Sequence, residues 1–306
     1  MSKKILIERC NQWGFFSSFL QVLDNLRWCE QNDYEPIIEW GNDSQYYSDE
    51  GYNNSKNVWE YYFLQMNTKL TDDAIIKDNH NTFLLKEIPQ NFGHRNIKTS
   101  GLRVKPDWNC VDDYWRKEAN RLIKKYITIK PNIVSKIDKF YTENLDENKV
   151  KIAVHLRGGR GAKELYHKDN VQLEYYKDCI NEWIVQNNIK DYCIFVASDS
   201  NEAIKFISDN FNNVKSYPCH RTDDYYIKGK PYHLVQEVGW NPEGSQFMPD
   251  KRALIGEEAL IESQLLSKCD IMFHHDSLLA IGAANFNPEM KLIHIENFIK
   301  GLYSYE

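Results

Sequence analysis

The second half of the sequence keeps one rhythm that few folds tolerate. Short apolar runs at 152–156, 193–197, 214–217, 271–273 and 292–295 are separated by stretches with helical spacing. Tyr176, Cys179, Ile180, Trp183 and Ile184 share one helical face, and further helical patterns cover 203–207 and 260–266. A strand that is apolar at every position is buried on both sides, and strands alternating with helices predict a parallel sheet with helices on both faces. Ligands of such sheets bind beyond the carboxyl ends of the strands. The residues that end each run are therefore where the chemistry is sought.

The first half opens in the same style. An apolar run at 4–8 leads to a turn at Trp13-Gly14, and Phe16, Phe19, Leu20, Leu23 and Leu26 then fall on one helical face. Residues 36–40 read as the next strand, which makes a β-loop-α-β opening. Residues 41–57 are rich in Asn, Asp, Ser, Tyr and Gly, a loop longer than compact domains usually carry without a binding purpose. Two amphipathic helices close this half. Trp115, Ala119, Leu122, Ile123 and Tyr126 form the face of one, and the other starts at Pro131 and presents Ile133, Ile137, Phe140 and Tyr141. The charged stretch 142–149 is the best linker, and 306 residues exceed what one small core needs. Two domains are expected, 1–148 and 149–306.

Bulk properties remove several classes of function. With 42% hydrophobic and 27% charged residues the chain is globular, and a net charge of −6 offers no general attraction to nucleic acid or anionic lipid. The N-terminus turns polar too soon for a secretory signal, and no window has the apolar length of a membrane span, so no integral membrane segment is expected. Seven scattered cysteines without a Cys-x-x-Cys spacing fit a reducing compartment, with cytosol the simplest assignment. Aromatic residues reach 13%, and most of these rings are assigned to packing.

Three strand ends carry the candidate chemistry. The run at 152–156 ends in His155-Leu156-Arg157-Gly158-Gly159-Arg160-Gly161-Ala162-Lys163. Glycines let the backbone approach a ligand, and arginine forks match phosphate oxygens. A departing diphosphate needs such a concentration of positive charge. The spacing of a Walker loop is absent. The second end is Ala197-Ser198-Asp199-Ser200: Ser200 suits a helix cap, and Asp199 stands at the tip, where its carboxylate could accept hydrogen bonds from a base or ribose. Capping alone also accounts for this motif. The third is Cys269-Asp270-Ile271-Met272-Phe273-His274-His275-Asp276-Ser277, with Ser277 opening an apolar helix whose free amides favour an anion. His274 and His275 invite a metal reading, but neighbours on a strand point to opposite faces, so no metal site is assigned.

In this order the three ends resemble the fucosyltransferase superfamily of α1,6-fucosyltransferases, bacterial nodulation fucosyltransferases and protein O-fucosyltransferases. The matching residues are His155-Leu156-Arg157, Ala197-Ser198-Asp199, and Leu266-Ser267-Lys268-Cys269-Asp270 through Ser277. The turn Cys10-Asn11-Gln12-Trp13-Gly14-Phe15 and the segment Asn57-Val58-Trp59-Glu60-Tyr61-Tyr62-Phe63 are similar to the other half of such enzymes. The resemblance implies an α/β, GT-B-like fold, with two Rossmann-like domains facing a central cleft. Residues 1–148 would be the acceptor side and 149–306 would bind the nucleotide sugar.

It further implies inverting transfer of fucose from GDP-fucose to a carbohydrate acceptor, with the nucleotide sugar as substrate and no cofactor or required metal. The implied donor-binding residues are His155, Arg157, Gly158, Gly159, Arg160, Asp199 and Ser277. Arg157 would hold the β-phosphate, Asp199 the guanosine end and Ser277 the diphosphate. Gly158 stands where the family has a second arginine, and Arg160 is its candidate substitute. Arg157 and Glu164 are the catalytic candidates, Glu164 as general base, although an ordinary exposed loop carboxylate accounts for it equally. Trp13, Gly14 and His167 are the acceptor-side candidates. A GT-B transferase for another nucleotide sugar, and a catalytically silent sugar-nucleotide or glycan-binding protein, are the alternatives.

Overall fold

The structure, a computed structural model, describes residues 4–9, 14–66, 82–84, 113–156, 173–221, 226–227, 230–231, 251–275 and 277–299. The chain divides into two compact units, residues 1–134 with 249–257, and residues 135–248 with 258–306.

In the first unit, β1 (Lys4–Arg9), α1 (Phe15–Asn32) and β2 (Tyr34–Glu39) form the expected opening, with β1 and β2 parallel. Helix α1 ends at Asp33, whose left-handed φ of 60° lets its N–H cap the Cys29 carbonyl. The predicted apolar face of α1 is buried, and so are its polar Ser17, Gln21, Asp24 and Asn25, so the helix is covered beyond one stripe. Residues 41–57 form the expected long loop. Asn57 ties its ends by accepting from the Trp40 N–H at 3.0 Å and donating to the Ile38 carbonyl at 2.8 Å. The single turn α2 (Trp59–Tyr62) follows, and then β3 (Thr82–Leu84), which pairs parallel to β1 and gives the order β2-β1-β3.

The core of this unit is aromatic. Trp40, Trp59, Tyr61, Tyr62, Phe19 and Phe63 are fully buried, with ring centroids 4.3 Å apart for Trp59 and Phe63 and 5.0 Å for Phe15 and Tyr62. Packing is the use of these rings, as expected. Helix α3 (Asp113–Tyr126) buries Ala119, Leu122 and Ile123, and its half-buried Trp115 lies under the Arg27 guanidinium at 4.4 Å. Helix α4 (Pro131–Asn144) starts on the proline that marked it in the sequence.

The second unit is built on β4 (Val150–Leu156), α5 (Leu173–Gln186), β5 (Tyr192–Ser198), α6 (Asn201–Asn210) and the short β6 (Val214–Lys215). A small antiparallel pair, β7 (Tyr226–Ile227) and β8 (Lys230–Pro231), lies within the 222–250 stretch, most of which is outside the described residues. Then come α7 (Arg252–Ser267), β9 (Ile271–His274), α8 (Leu278–Phe286), β10 (Lys291–His294) and α9 (Ile295–Ile299). The sheet order is β10-β9-β4-β5-β6 and every pairing is parallel. Numbered as they occur along the unit, its strands run 3-2-1-4-5, the order of the doubly wound nucleotide-binding fold.

Both faces of this sheet are covered, which is why its central strands β4, β5 and β9 read as largely apolar runs without alternation. Ile152, Val154, Ile194, Val196, Ile271 and Phe273 pack with Tyr176, Cys179, Ile180 and Trp183 of α5 and with Ala203 and Ile207 of α6. The alternating residues Ala153, Phe195 and Met272 are equally buried, and Phe140 of α4 stands edge-on to Phe195 at 5.9 Å. Each of the buried Ile, Val, Phe and Met side chains contributes about 1.5–3 kcal/mol by leaving water. The strand expected at 214–217 stops at Lys215, because the Tyr217 carbonyl is turned to the Arg221 guanidinium at 2.6 Å instead of a neighbouring strand.

Gly256 tests the packing of the first unit. A Cβ there would lie 2.2 Å from the hydroxyl oxygen of the fully buried Tyr62 and 3.0 Å from a Tyr46 ring carbon. The Tyr62 hydroxyl also donates to the Ala253 carbonyl at 2.9 Å, so the ring is not free to retreat. Gly256→Ala is expected to cost about 1–3 kcal/mol of stability in urea denaturation. Gly41→Ala, where a Cβ meets nothing within 4 Å, serves as the control and is expected to leave the midpoint close to wild type.

Candidate functional site

In the second unit the strand order reverses between β4 and β9, and a crevice at such a switch point is where open α/β sheets hold ligands. The residues there come from two of the singled-out ends. His155 is the penultimate residue of β4 and faces His274 of β9 in register. Ser277 follows β9 as the N-cap of α8, its hydroxyl accepting from the Leu279 N–H at 3.2 Å. The Ser277 oxygen lies 3.5 Å from His155 Nε2. Helix α8 carries no acidic residue in its first turn, so its positive dipole end is not neutralised from within.

On the other side of β4, β5 delivers the third end. Ser200 caps α6 by accepting from the Ala203 N–H at 3.2 Å, which confirms the structural half of that reading. Ser198 and Ser200 are buried, whereas Asp199 between them is exposed. Capping therefore occupies Ser200 and leaves the carboxylate at the open edge of the sheet.

Beside this tip stands a polar group that the sequence reading did not identify. Buried Arg221 donates from Nε to the Ser198 carbonyl at 2.9 Å, and through its terminal nitrogens to the carbonyls of Cys219 and Tyr217 and to Glu262 Oε1 at 2.8 Å. One turn earlier on α7, Glu258 receives the His220 N–H at 2.9 Å and lies 2.8 Å from His220 Nδ1. Burial pushes the Cys219 thiol well up and raises the Glu262 carboxyl to about 7, against the opposing pull of Arg221. The available signal was a pair of glutamates at i,i+4, Glu258 and Glu262, on a helix that also carries Arg252, Glu257 and Gln264. That helix is buried on several sides, so no amphipathic stripe set them apart.

The remaining candidates divide plainly. Arg157, Gly158, Gly159, Arg160, Glu164, His167 and Trp13 lie outside the described residues, as does Asp276. Gly14 belongs to the first unit, where it is exposed at the N-terminus of α1 with open space around it. The next residue, Phe15, donates its N–H to the Tyr46 hydroxyl at 2.9 Å. The expectation that His274 and His275 diverge is modified: His275 stands just past the strand, where alternation no longer holds. Both rings approach His294 of β10, with centroids 5.1 and 5.2 Å away.

Glu262 gives this edge a pH signature. Its folded carboxyl at about 7 lies above the ordinary 4.5, so the folded chain holds that proton more tightly than the unfolded chain. The resulting stabilisation is complete below the ordinary value and is lost as pH rises through about 7. The urea midpoint is expected to fall between about pH 5 and pH 8, and Glu262→Gln is expected to flatten that decline. Arg221→Ala, which leaves the carboxyl buried without its guanidinium, is expected to cost about 3–5 kcal/mol above pH 7.

No protein-family model matches the sequence, and no curated protein matches it. Solved structures do resemble it over nearly its whole length. The fucosyltransferase NodZ from Bradyrhizobium aligns over 97% of both chains at 16% identity with a TM-score of 0.55. NodZ α-1,6-fucosyltransferase soaked with GDP-fucose aligns over 94% of this chain and 93% of its own, at 15% identity and a TM-score of 0.52. POFUT1 in complex with GDP covers 96% of this chain and 99% of its own, at 9% identity and a TM-score of 0.51. Identities this low speak to architecture alone, and on that evidence the chain has the α/β, GT-B-like fold of the GDP-fucose fucosyltransferases.

Proposed function

We propose that the protein is an inverting glycosyltransferase that moves fucose from GDP-fucose to a hydroxyl of a glycan. The observation that carries this reading is the meeting of His155 and Ser277 at the switch point of a 3-2-1-4-5 parallel sheet. The glycine-and-arginine segment that begins at Arg157 follows directly in the sequence. A diphosphate there would meet the amide end of α8 and the cations of that segment, the chemistry a departing nucleoside diphosphate needs. The fucosyltransferase fold and the motif resemblance support the choice of donor.

In this reading the second unit binds the donor. Arg157 and Ser277 would stabilise charge growing on the β-phosphate as the anomeric bond breaks, with His155, Gly158, Gly159 and Arg160 around it. Asp199 would accept hydrogen bonds from the nucleoside. Glu164 would take the acceptor hydroxyl's proton as the oxygen attacks the anomeric carbon from the opposite side, which inverts its configuration. Trp13, Gly14 and His167 would serve the acceptor. No metal step is needed, because arginine and backbone amides would supply the positive charge. Among the described residues Cys29, Cys179, Cys193, Cys219 and Cys269 are free and mostly buried, and a cytosolic location is part of the proposal. Among the described residues no helix is long and apolar enough to cross a membrane.

A panel of sugar nucleotides, tested for binding by calorimetry and for release of GDP or UDP with glycan acceptors, decides the matter. GDP-fucose is expected to bind and to release GDP. A donor with another base or sugar as the only ligand would replace the donor, and binding without release would leave a silent binding protein. Arg157→Ala is expected to lower kcat/KM by about 10²–10³, the usual effect of removing one preorganised donor to a developing anion. Glu164→Gln is expected to lower kcat with little change in GDP affinity, and an unchanged kcat would place the base elsewhere.

A further inference from the structure

The parallel register places three histidines in one row across the sheet, His155 on β4, His274 on β9 and His294 on β10. Parallel partners in register project to the same face, so the three imidazoles lie side by side at the carboxyl edge. His275 adds a fourth ring through its contact with His294. All four are buried, at 6%, 4%, 2% and 6% exposure for His155, His274, His294 and His275. Core histidines are ordinarily placed singly and satisfied, so four together at a ligand-binding edge call for a use. Among the described residues no three side chains converge in a way that could hold a metal ion.

The hydrogen bonds fix much of the proton arrangement. His294 Nδ1 accepts the Glu296 N–H at 3.3 Å, so a neutral His294 carries its hydrogen on Nε2. His274 Nδ1 lies 3.3 Å from the His275 carbonyl, which only an N–H can satisfy, so the open lone pair of His274 is on Nε2. His275 Nε2 stands 3.1 Å from Glu296 Oε1, and His155 Nε2 faces the Ser277 hydroxyl. Among the described residues, the ionisable groups that act on His274 include His155, His275 and His294, with Glu296 beside His275. Tyr176 of α5 donates a hydrogen bond to the His155 carbonyl, and α8 has no ionisable side chain. Burial and the neighbouring imidazoles hold His274 well below the ordinary histidine range. At neutral pH His274 is therefore uncharged.

We propose that this row is a proton-coupled seat for the diphosphate: it takes one proton from solvent as the nucleoside diphosphate binds and returns it when the nucleotide leaves. The inference rests on the donor site proposed above, because the anion must sit at the Ser277 end of the row. An opposite charge within about 4–6 Å favours the charged form of a titrating group by roughly tenfold to a thousandfold. A diphosphate brings more than one such charge. Mutual repulsion limits the row to a single added proton, which belongs to the coupled set and not to one ring. Cationic imidazole would then add to the positive charge facing the leaving group; in the empty site a proton on His274 would be a buried charge set among other imidazoles, which disfavours it.

The test is calorimetry of GDP binding to the full chain near pH 7, in PIPES and in Tris, whose different ionisation heats reveal the protons exchanged. Wild type is expected to take up a large fraction of one proton, with affinity rising by up to about tenfold per pH unit as pH falls. His274→Gln is expected to bind GDP with most of that uptake gone, which separates the row from the titration of the nucleotide itself. Equal uptake in wild type and variant, or none in wild type, overturns the inference and leaves the donor reading standing. No GDP binding by wild type sinks both. If His274→Gln does not fold, the imidazole proton resonances of wild type decide: at constant pH they are expected to move toward the charged form on adding GDP, and unmoved resonances overturn the inference.

Discussion

The pairing of β4 with neighbours on both sides is the interaction on which the second unit depends. Seven residues of β4 pair in register with β5 and four with β9, so the strand is held from both sides while helices cover both faces. A strand so placed can carry little that is polar through its middle, where Ile152, Ala153 and Val154 are fully withdrawn from water. Apart from Lys151, which pairs with Asp270 at the amino end, its polar residues are driven to the carboxyl end, where the backbone leaves the sheet. His155 is the first of these, and the ends of β5 and β9 repeat the pattern with Asp199 and Ser277. The separation of an apolar body from a polar edge is thus imposed by burial before any ligand is considered.

This logic explains what could be read in the sequence. The runs at 152–156, 193–197 and 271–273 were legible because burial on both faces leaves no alternation to blur them. Ser200 and Pro131 were legible because capping and first-turn chemistry are local. Strand β3 was not, since three residues paired only to β1 give no period to detect. Strand β6 was read two residues too long, because the competitor for the Tyr217 carbonyl is Arg221, four residues further on and aimed by a turn that no local pattern announces.

The same distinction runs through the candidate site. His155 and Ser277 were found as ends of separate runs, but their proximity across the β4–β9 boundary depends on strand order, which periodicity does not encode. The glutamates of α7 were hidden for a different reason. Glu258 and Glu262 look like one more charged face of a helix until the fold buries them beside His220 and Arg221. His294 was hidden likewise: alone on a short strand it is an ordinary core histidine, and only the register with His274 makes it part of a row.

Taken together, the carboxyl edge concentrates buried ionisable groups that a stability-optimised sheet would replace with apolar ones. Arg221 and Glu262 on one side of β4, and four imidazoles on the other, are costly to desolvate, and apolar residues of similar volume often serve as well or better. Their hydrogen bonds offset part of that cost but give the sheet nothing that Leu or Val would not. Strain and buried polarity retained against stability are characteristic of binding and catalytic sites. The two groups flank the switch point, where the strand order already predicts a ligand. Topology and the distribution of costly residues are independent lines, one set by backbone pairing and the other by side-chain chemistry, and they converge on the end of β4.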